Sequence, residues 1–112
     1  MKILIDECLP VALKNHINLD KKHIIKTVKD MEWIAYKNGK LIKNAVDNNY
    51  DIFITLDSKM RYQQNLSNIR MIFIFLKVKN NKLGTILKFA KSIEEIIIKI
   101  ENKTIKHQLI DL

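Results

Sequence analysis

The sequence predicts an α/β fold: a three-layer α/β/α sandwich around a mainly parallel sheet of four to five strands, with the order 2-1-3-4. Short apolar segments alternate with segments of helical spacing, which is typical of parallel strands joined by helical crossovers. The segments 2–5, 52–56 and 71–76 are apolar almost throughout, as expected of strands that are buried on both faces. Because such crossovers are right-handed, they leave few strand orders open.

The remaining elements follow from spacing and from capping residues. Pro10 suits the first turn of a helix, and Asn38-Gly39 is typical of a helix cap and entry. In chain order we predict helix one at Leu9–His16, strand two at His23–Val28, an irregular segment at Lys29–Asn38, helix two at Gly39–Asn48, strand three at Ile52–Leu56, one or two helical turns at Ser58–Leu66, strand four at Met71–Leu76 and a long helix at Leu83–Glu101. The tail 102–112 alternates between Thr104 and Leu109, which is compatible with a fifth, edge strand.

Composition narrows the class of protein. A chain of 112 residues with 47% apolar residues suits one domain, 1–112, with a core of its own. It has no run of about 18 apolar residues, and acids follow Met1 too soon for a signal peptide, so we expect no membrane span and no secretion. The single cysteine, Cys8, excludes an internal disulfide and fits a reducing cytoplasm. The formal charge of +8 favours polyanionic partners, although lysines spread along the whole chain are more typical of a solvated surface.

Two acids stand at the ends of apolar strands. Asp6 follows strand one and Asp57 follows strand three. In the predicted order these strands are neighbours and the order reverses between them, which is where open α/β sheets build sites. Adjacent carboxylates repel each other unless a divalent cation lies between them or one takes up a proton, and Mg²⁺ or Mn²⁺ prefers such oxygen ligands. The alternative is that Asp6 and Asp57 only cap the helices that follow them.

Further polar residues flank the two acids in the sequence. Glu7 is a candidate third metal ligand, or else an exposed or salt-bridged side chain, because an extended backbone directs it away from Asp6. Thr55 is on the same face as Asp57 and could bond to it, or bond to the backbone like many buried threonines. Cys8 is expected to be a small, buried thiol.

The segment after Asp57 is basic and rich in amides. Arg61 is followed closely by Gln63, Gln64 and Asn65. A guanidinium and amides beside a metal suit the phosphodiester backbone or the bases of a nucleic acid. The same amides also suit the backbone groups of a loop, so both uses stay open. Trp33 is expected to anchor the core under the irregular segment, with stacking on a nucleotide as the alternative.

In this arrangement the chain resembles the PIN-like domains of the DUF5615 family over nearly its whole length. Ile3-Leu4-Ile5-Asp6-Glu7-Cys8-Leu9-Pro10 is similar to the family's opening strand and Asp-Glu-Asn-Leu-Pro turn. Met31-Glu32-Trp33 followed by Lys37-Asn38-Gly39-Lys40-Leu41 resembles its Trp-containing loop and Lys-Asn-Gly-Glu-Leu segment. Thr55-Leu56-Asp57-Ser58-Lys59-Met60 with Tyr62-Gln63-Gln64-Asn65-Leu66 is similar to a subgroup with Asp-Lys-Asn-Leu and Gln-Gln-Asn-Leu there.

The resemblance implies a PIN-like sandwich and a metal-dependent ribonuclease whose acids are clustered. Asp6 and Asp57 match the acids of the first and third strands. Lys40 and Ser58-Lys59 stand where many relatives have further acids, and Cys8 stands where they have Asn. Because an ammonium competes with a metal for carboxylates, we further predict that Lys40 or Lys59 forms an ion pair with Asp6 or Asp57 in the metal-free protein.

These expectations give a leading function and two alternatives. The first is an Mg²⁺- or Mn²⁺-dependent ribonuclease that acts as a toxin, with RNA and a small antitoxin protein as partners and a homodimer also compatible. Metal ligands are then Asp6, Asp57 and Glu7, and the RNA contacts are Lys40, Thr55, Lys59, Arg61, Gln64 and Asn65. The second is a catalytically degenerate PIN-like domain that binds RNA or a partner protein. The third, which Lys77 after strand four disfavours, is a receiver-type signalling domain.

Overall fold

The structure, a computed structural model, describes residues 1–103 and 109–112, and it confirms the predicted fold class. Five parallel strands form one sheet in the order β2-β1-β3-β4-β5. The strands are β1 Lys2–Ile5, β2 Ile24–Thr27, β3 Ile52–Thr55, β4 Ile72–Phe75 and β5 Leu109–Asp111. The predicted order 2-1-3-4 is correct, and one further strand extends the sheet at the β4 edge.

Helices cover both faces of this sheet. They are α1 Asn38–Asp47, α2 Met60–Gln63, α3 Leu83–Leu87 and α4 Ala90–Glu101, with 3₁₀ helices at Val11–His16 and Leu66–Asn68. In the described ranges, none of these helices is long and apolar enough to cross a membrane.

The period of two along each strand divides the core into two chemically different halves. The 3₁₀ helix Val11–His16 packs with α3 and α4 on a face rich in isoleucine, whereas α1, α2 and the loop around Trp33 pack on a face rich in phenylalanine. The first face presents Ile3, Ile5, Ile52, Ile54 and Ile74, and the second presents Leu4, Phe53, Phe73 and Phe75. Both faces being covered explains why the central strands are apolar at every position.

The C-terminal tail supplies the fifth strand over a short stretch. Leu109–Asp111 pairs in parallel with β4, with Ile110 opposite Ile74. The alternating residues 104–108, on which the prediction of an edge strand depended, lie outside the described residues. Because β5 is parallel to the other strands, Asp111 lies at the same carboxyl edge of the sheet as the ends of β3 and β4.

The prediction of a helix at Leu9–His16 is wrong in its start and its type. The first residues form a turn in which Leu9 N–H donates to the Asp6 carbonyl (3.1 Å). Pro10 has an extended ψ of 134° and precedes the helix as its N-cap, so only Val11–His16 is helical, and it is a 3₁₀ helix. The turn lets the chain leave β1 sharply, directly after Asp6.

The predicted single helix at Leu83–Glu101 is divided into α3 and α4. Phe89 N–H donates to the Ile86 carbonyl (2.9 Å), three residues back instead of four. This tighter turn interrupts the α-helical ladder. Both parts still place apolar residues in the isoleucine half of the core, including Ile86 on α3 and Ile93 on α4.

The turn that follows β2 is held by an ion pair and by hydrogen bonds of Asp30. Asp30 Oδ2 accepts hydrogen bonds from Lys14 Nζ (2.8 Å) and from Thr27 N–H (2.9 Å), while Asp30 N–H donates to Thr27 Oγ1 (3.0 Å). The hydrogen bond from Lys14, followed by that from the Thr27 amide, lowers the pKa of Asp30 from 3.8 to about 2. The ionised form of Asp30 therefore stabilises the fold.

Asp30→Asn should destabilise the protein in a pH-dependent way. Because the pKa of Asp30 is lower in the folded state, its contribution is fully present above pH 3.8 and is lost as the pH falls towards about 2. Urea unfolding midpoints are measured for both proteins at pH 7 and pH 3. The difference in midpoint between wild type and variant should be larger at pH 7. Asp47→Asn, at an exposed position at the end of α1, is the matched control, and a difference between wild type and Asp30→Asn that is constant with pH would contradict the assignment.

Candidate functional site

Asp6 lies one residue beyond β1 and is held against β3. Ile5 is opposite Ile54 in the parallel register, and Asp6 N–H continues the ladder to the Ile54 carbonyl (2.9 Å). This pairing brings Asp6 beside Thr55 and leaves only 6% of Asp6 exposed. A carboxylate buried to this extent must be satisfied by hydrogen-bond donors.

The Asp6 carboxylate receives donors from main chain and side chains. Glu7 N–H donates to Oδ1 (2.8 Å), while the hydroxyl of Thr55 (2.6 Å) and the thiol of Cys8 (3.5 Å) donate to Oδ2. Since an ionised carboxylate only accepts, these contacts suit a charged Asp6. The turn that follows β1 thus supplies two of the groups that fix this acid.

Thr55 connects Asp6 to the other acid. Its side chain is fully buried, and its Oγ1 donates to Asp6 Oδ2 (2.6 Å) while it accepts from Asp57 N–H (3.0 Å). The predicted bond between Thr55 and Asp57 is present, but it is made to the main chain of Asp57. The side chain of Thr55 is a link between the two acids, and its burial keeps it away from solvent.

Cys8, which the sequence predicts to be buried, is half-buried, and it completes this network as a neutral thiol. Its Sγ accepts from Leu56 N–H (3.4 Å) and lies 3.5 Å from Thr55 Oγ1. Burial, followed by the nearby charge of Asp6, raises the pKa of the Cys8 thiol above its usual value. Because the thiolate is the metal-binding and nucleophilic form, Cys8 acts here as a hydrogen-bonding group.

Asp57 is half-buried and is oriented by two donors. Lys59 N–H donates to Oδ1 (3.1 Å), and Asn38 Nδ2 donates to Oδ2 (3.2 Å). The sequence predicts Asn38 as a helix cap, which is wrong: α1 begins at Asn38 itself, Lys37 precedes it, and no side chain caps this end. Asn38 is therefore a site residue that sequence reasoning missed, because Asn before a helix ordinarily indicates capping.

The capping alternative for the two acids is partly supported. Both carboxylates accept from the main chain of the turn that follows them, at Glu7 N–H and Lys59 N–H. However, neither acid caps a helix, because the N-caps are Pro10 and Lys59, without side-chain cap bonds. Turn stabilisation explains one contact on each carboxylate, and the contacts with Thr55 and Asn38 are additional.

Among the described residues, no third ligand is gathered around the two acids. Within residues 1–103 and 109–112, no three His, Cys, Asp or Glu side chains form a group that could hold a metal ion. Glu7, the candidate third ligand, is exposed. Any cation held by Asp6 and Asp57 would therefore need water or substrate oxygens to complete its coordination, as Mg²⁺ accepts in phosphate-binding sites.

The predicted ion pairs between the two lysines and the two acids are not formed. Lys40 Nζ lies 4.5 Å from the centroid of the Tyr36 ring, in a cation–π contact. Lys59 is exposed, and its contact with Asp57 is made by its main-chain N–H. In the described part of the chain, the ion pairs instead join Lys14 with Asp30, Lys22 with Glu101, and Arg61 with Asp111. The two acids are thus not neutralised by neighbouring lysines.

The candidate RNA-binding residues after Asp57 occupy different environments. Arg61 on α2 pairs with Asp111 (2.6 Å) and covers the Phe75 ring, with 4.3 Å from its guanidinium carbon to the ring centroid. Gln64 is half-buried and lies against the start of α1, where its Oε1 would be 3.6 Å from a Cβ added at Gly39. Asn65 is exposed. Arg61 is therefore positioned by the fold, near the end of β5.

The irregular segment before α1 is anchored in the core by Trp33. Trp33 is 9% exposed and packs its ring against Tyr36 and Tyr50, which confirms it as a core anchor.

No family model, curated protein or solved structure matches the chain. The function proposed for the chain therefore rests on this geometry and on the resemblance in the sequence.

Thr55→Val should destabilise the protein by about 1–3 kcal/mol, because it leaves the buried Asp6 carboxylate without its shortest donor. Valine nearly preserves the volume of threonine, so packing is little changed. Urea unfolding at pH 7 measures the effect, and Thr55→Ser, which keeps the hydroxyl, is the control. Destabilisation by serine equal to that by valine would show that packing, and not the hydrogen bond, is what Thr55 contributes.

Proposed function

We propose that the protein is a PIN-like, Mg²⁺- or Mn²⁺-dependent ribonuclease-type protein, the toxin of a toxin–antitoxin pair. The observation that supports this most is the pair of acids where the strand order reverses, with Thr55 bonded to the carboxylate of Asp6 and to the main-chain N–H of Asp57. The toxin role rests on the resemblance to DUF5615 proteins. RNA and a small antitoxin protein are the partners that this proposal includes.

The acceptor capacity of the acids fits a hard cation. Each oxygen of Asp57 accepts one hydrogen bond in the structure, and a carboxylate oxygen offers two lone-pair positions. Oδ1 of Asp6, which accepts from Glu7 N–H, has the same capacity. Asp6 and Asp57 would hold the ion weakly, with phosphate oxygens of the RNA completing its coordination.

In RNA cleavage, different residues of the chain would hold the ion, orient the two carboxylates and attract the RNA. When bound, the ion would activate a water molecule and offset charge that develops on the phosphate. Thr55 and the Glu7 amide fix Asp6, and Asn38 fixes Asp57, so both carboxylates are oriented before the substrate binds. Exposed Lys59 at the start of α2 attracts the phosphate backbone.

A second candidate is a PIN-like domain that binds RNA or a partner protein without cleaving. The absence of a third ligand among the described residues favours it. Calorimetry separates the two functions, because RNA binding without uptake of Mn²⁺ supports the binding domain alone. A receiver domain shares the strand order 2-1-3-4-5, so the topology alone does not separate it. However, Leu76 and Lys77 follow β4 where receivers have Thr or Ser. Failure of beryllofluoride to label Asp57 would exclude that function.

Single-stranded RNA should be cleaved by the wild type in Mn²⁺ and not in EDTA. Asp6→Asn and Asp57→Asn should each lower the rate by at least about 100-fold, since loss of even an indirect partner of a metal ligand costs about 10- to 100-fold. A gel assay on a labelled oligonucleotide measures the rate.

Asp47→Asn is the matched control for this assay. Asp47 is exposed on the last turn of α1, and this helix ends near Lys2 at the opposite edge of the sheet. The control should cleave at the wild-type rate, and circular dichroism checks that all variants are folded. Cleavage that is unchanged in both site variants would show that Asp6 and Asp57 are not the site.

A further inference from the structure

A cavity of about 650 Å³ lies at the carboxyl ends of β3, β4 and β5, beside the segment that carries Asp57. Leu56 and Ser58, which flank Asp57 in the sequence, both line it. Its volume is within the range of sites that bind small organic groups. The cavity therefore lies beside the segment that carries Asp57, and neither carboxylate of the proposed cleavage site lines it.

Part of the lining of the cavity is apolar. Leu56, Leu76 and Val78 contribute aliphatic surface, and the ring of Phe75 lies beneath the guanidinium of Arg61. A planar guanidinium held against a ring presents a surface on which a base can stack. This lining suits a planar, partly apolar group better than it suits a phosphate.

Tyr62 adds an aromatic ring at the mouth of the cavity. It is 83% exposed, although it is a large aromatic residue on a helix, and it lines the cavity next to Arg61. Exposed aromatic side chains beside basic residues are the usual stacking platforms for single-stranded nucleic acid.

Asp111 gives the cavity an acceptor for N–H groups. Its Oδ1 accepts from Arg61 Nη2 (2.6 Å), its Oδ2 lies 3.4 Å from Nη1, and 68% of its side chain is exposed. The pairing with Arg61 offsets its charge, so the carboxylate does not repel a phosphate strongly. Among the bases, guanine presents two adjacent N–H donors to a carboxylate, at N1 and N2, whereas uracil presents one donor between two acceptors.

The loop after β4 continues from the cavity as a basic segment. Lys77 lines the cavity, and exposed Lys79 and Lys82 follow it with no acid in 77–82. Lysines in this position neutralise phosphates of a strand that leaves the cavity. The charge of the segment therefore points to an oligonucleotide.

We propose that this cavity binds the guanine base of a single-stranded RNA nucleotide adjacent to the phosphate held at Asp6 and Asp57. Tyr62 stacks on the base, Asp111 exchanges its two contacts with Arg61 for the N1–H and N2–H groups of the base, and the 77–82 loop binds the following phosphates. The placement beside a scissile phosphate rests on the proposed function, whereas binding of the base does not need a metal ion.

The test measures binding in EDTA, so that it is independent of cleavage. Titration calorimetry of the wild type should detect binding of 5′-GMP and weaker binding of 5′-UMP. Ribose 5-phosphate should not bind at the same concentrations. Tyr62→Ala should weaken GMP binding at least about fivefold, the smaller end of what one stacked base contributes. Asp111→Asn should reduce the preference for GMP over UMP. Glu95→Gln, at an exposed position on α4, is the control and should bind like the wild type.

A GpUpU trinucleotide separates RNA from a free nucleotide as the ligand. It should bind more tightly than GMP and lose affinity more steeply with salt, because the 77–82 loop adds phosphate contacts. Equal affinity of the two ligands would overturn the assignment to RNA. Binding that does not require the base, or that is unchanged in Tyr62→Ala, would overturn the base subsite. In that case, cleavage that depends on Mn²⁺ would still support the proposed function.

Discussion

Parallel pairing between β1 and β3 joins parts of the chain that are far apart in sequence, and the site is built on that pairing. Asp6 and Thr55 are 49 residues apart, yet the register of Ile5 with Ile54 brings them into a 2.6 Å hydrogen bond. The contact needs no flexible loop, because both residues continue buried strands. Rigid strand ends hold side chains more accurately than loops do, which suits a site that must orient two like charges.

Much of the fold follows from local pattern, and the errors have physical causes. Continuous Ile and Phe segments identify β1, β3 and β4 because both faces of the sheet are covered. The start of the first helix was not predictable from Pro10, since proline suits both the N-cap and the first turn. Asn38 and the link through Thr55 depend on contacts between distant segments, so local sequence cannot show which partner each side chain takes.

The charge of the site is determined by the fact that Lys40 and Lys59 do not pair with Asp6 or Asp57. The chain carries a net charge of +8, but Lys40 is drawn to the Tyr36 ring and Lys59 faces solvent. Asp6 and Asp57 are consequently satisfied by neutral donors, which orient a carboxylate without cancelling its charge. The guanidinium of Arg61 pairs with Asp111 farther along the edge, at the cavity beside β5. This separation leaves an acidic position next to a basic, aromatic one, a layout suited to a metal and a nucleotide side by side.

Titration with Mn²⁺ followed by NMR tests most directly that Asp6 and Asp57 form one cation site. Because the paramagnetic ion broadens nearby resonances, the amides of 6–8 and 56–59 should broaden first and together in the wild type. Asp57→Asn should remove this broadening at both segments, since each acid alone is expected to bind too weakly. Broadening confined to one segment, or centred on other acids such as Glu94 and Glu95 on α4, would contradict the account.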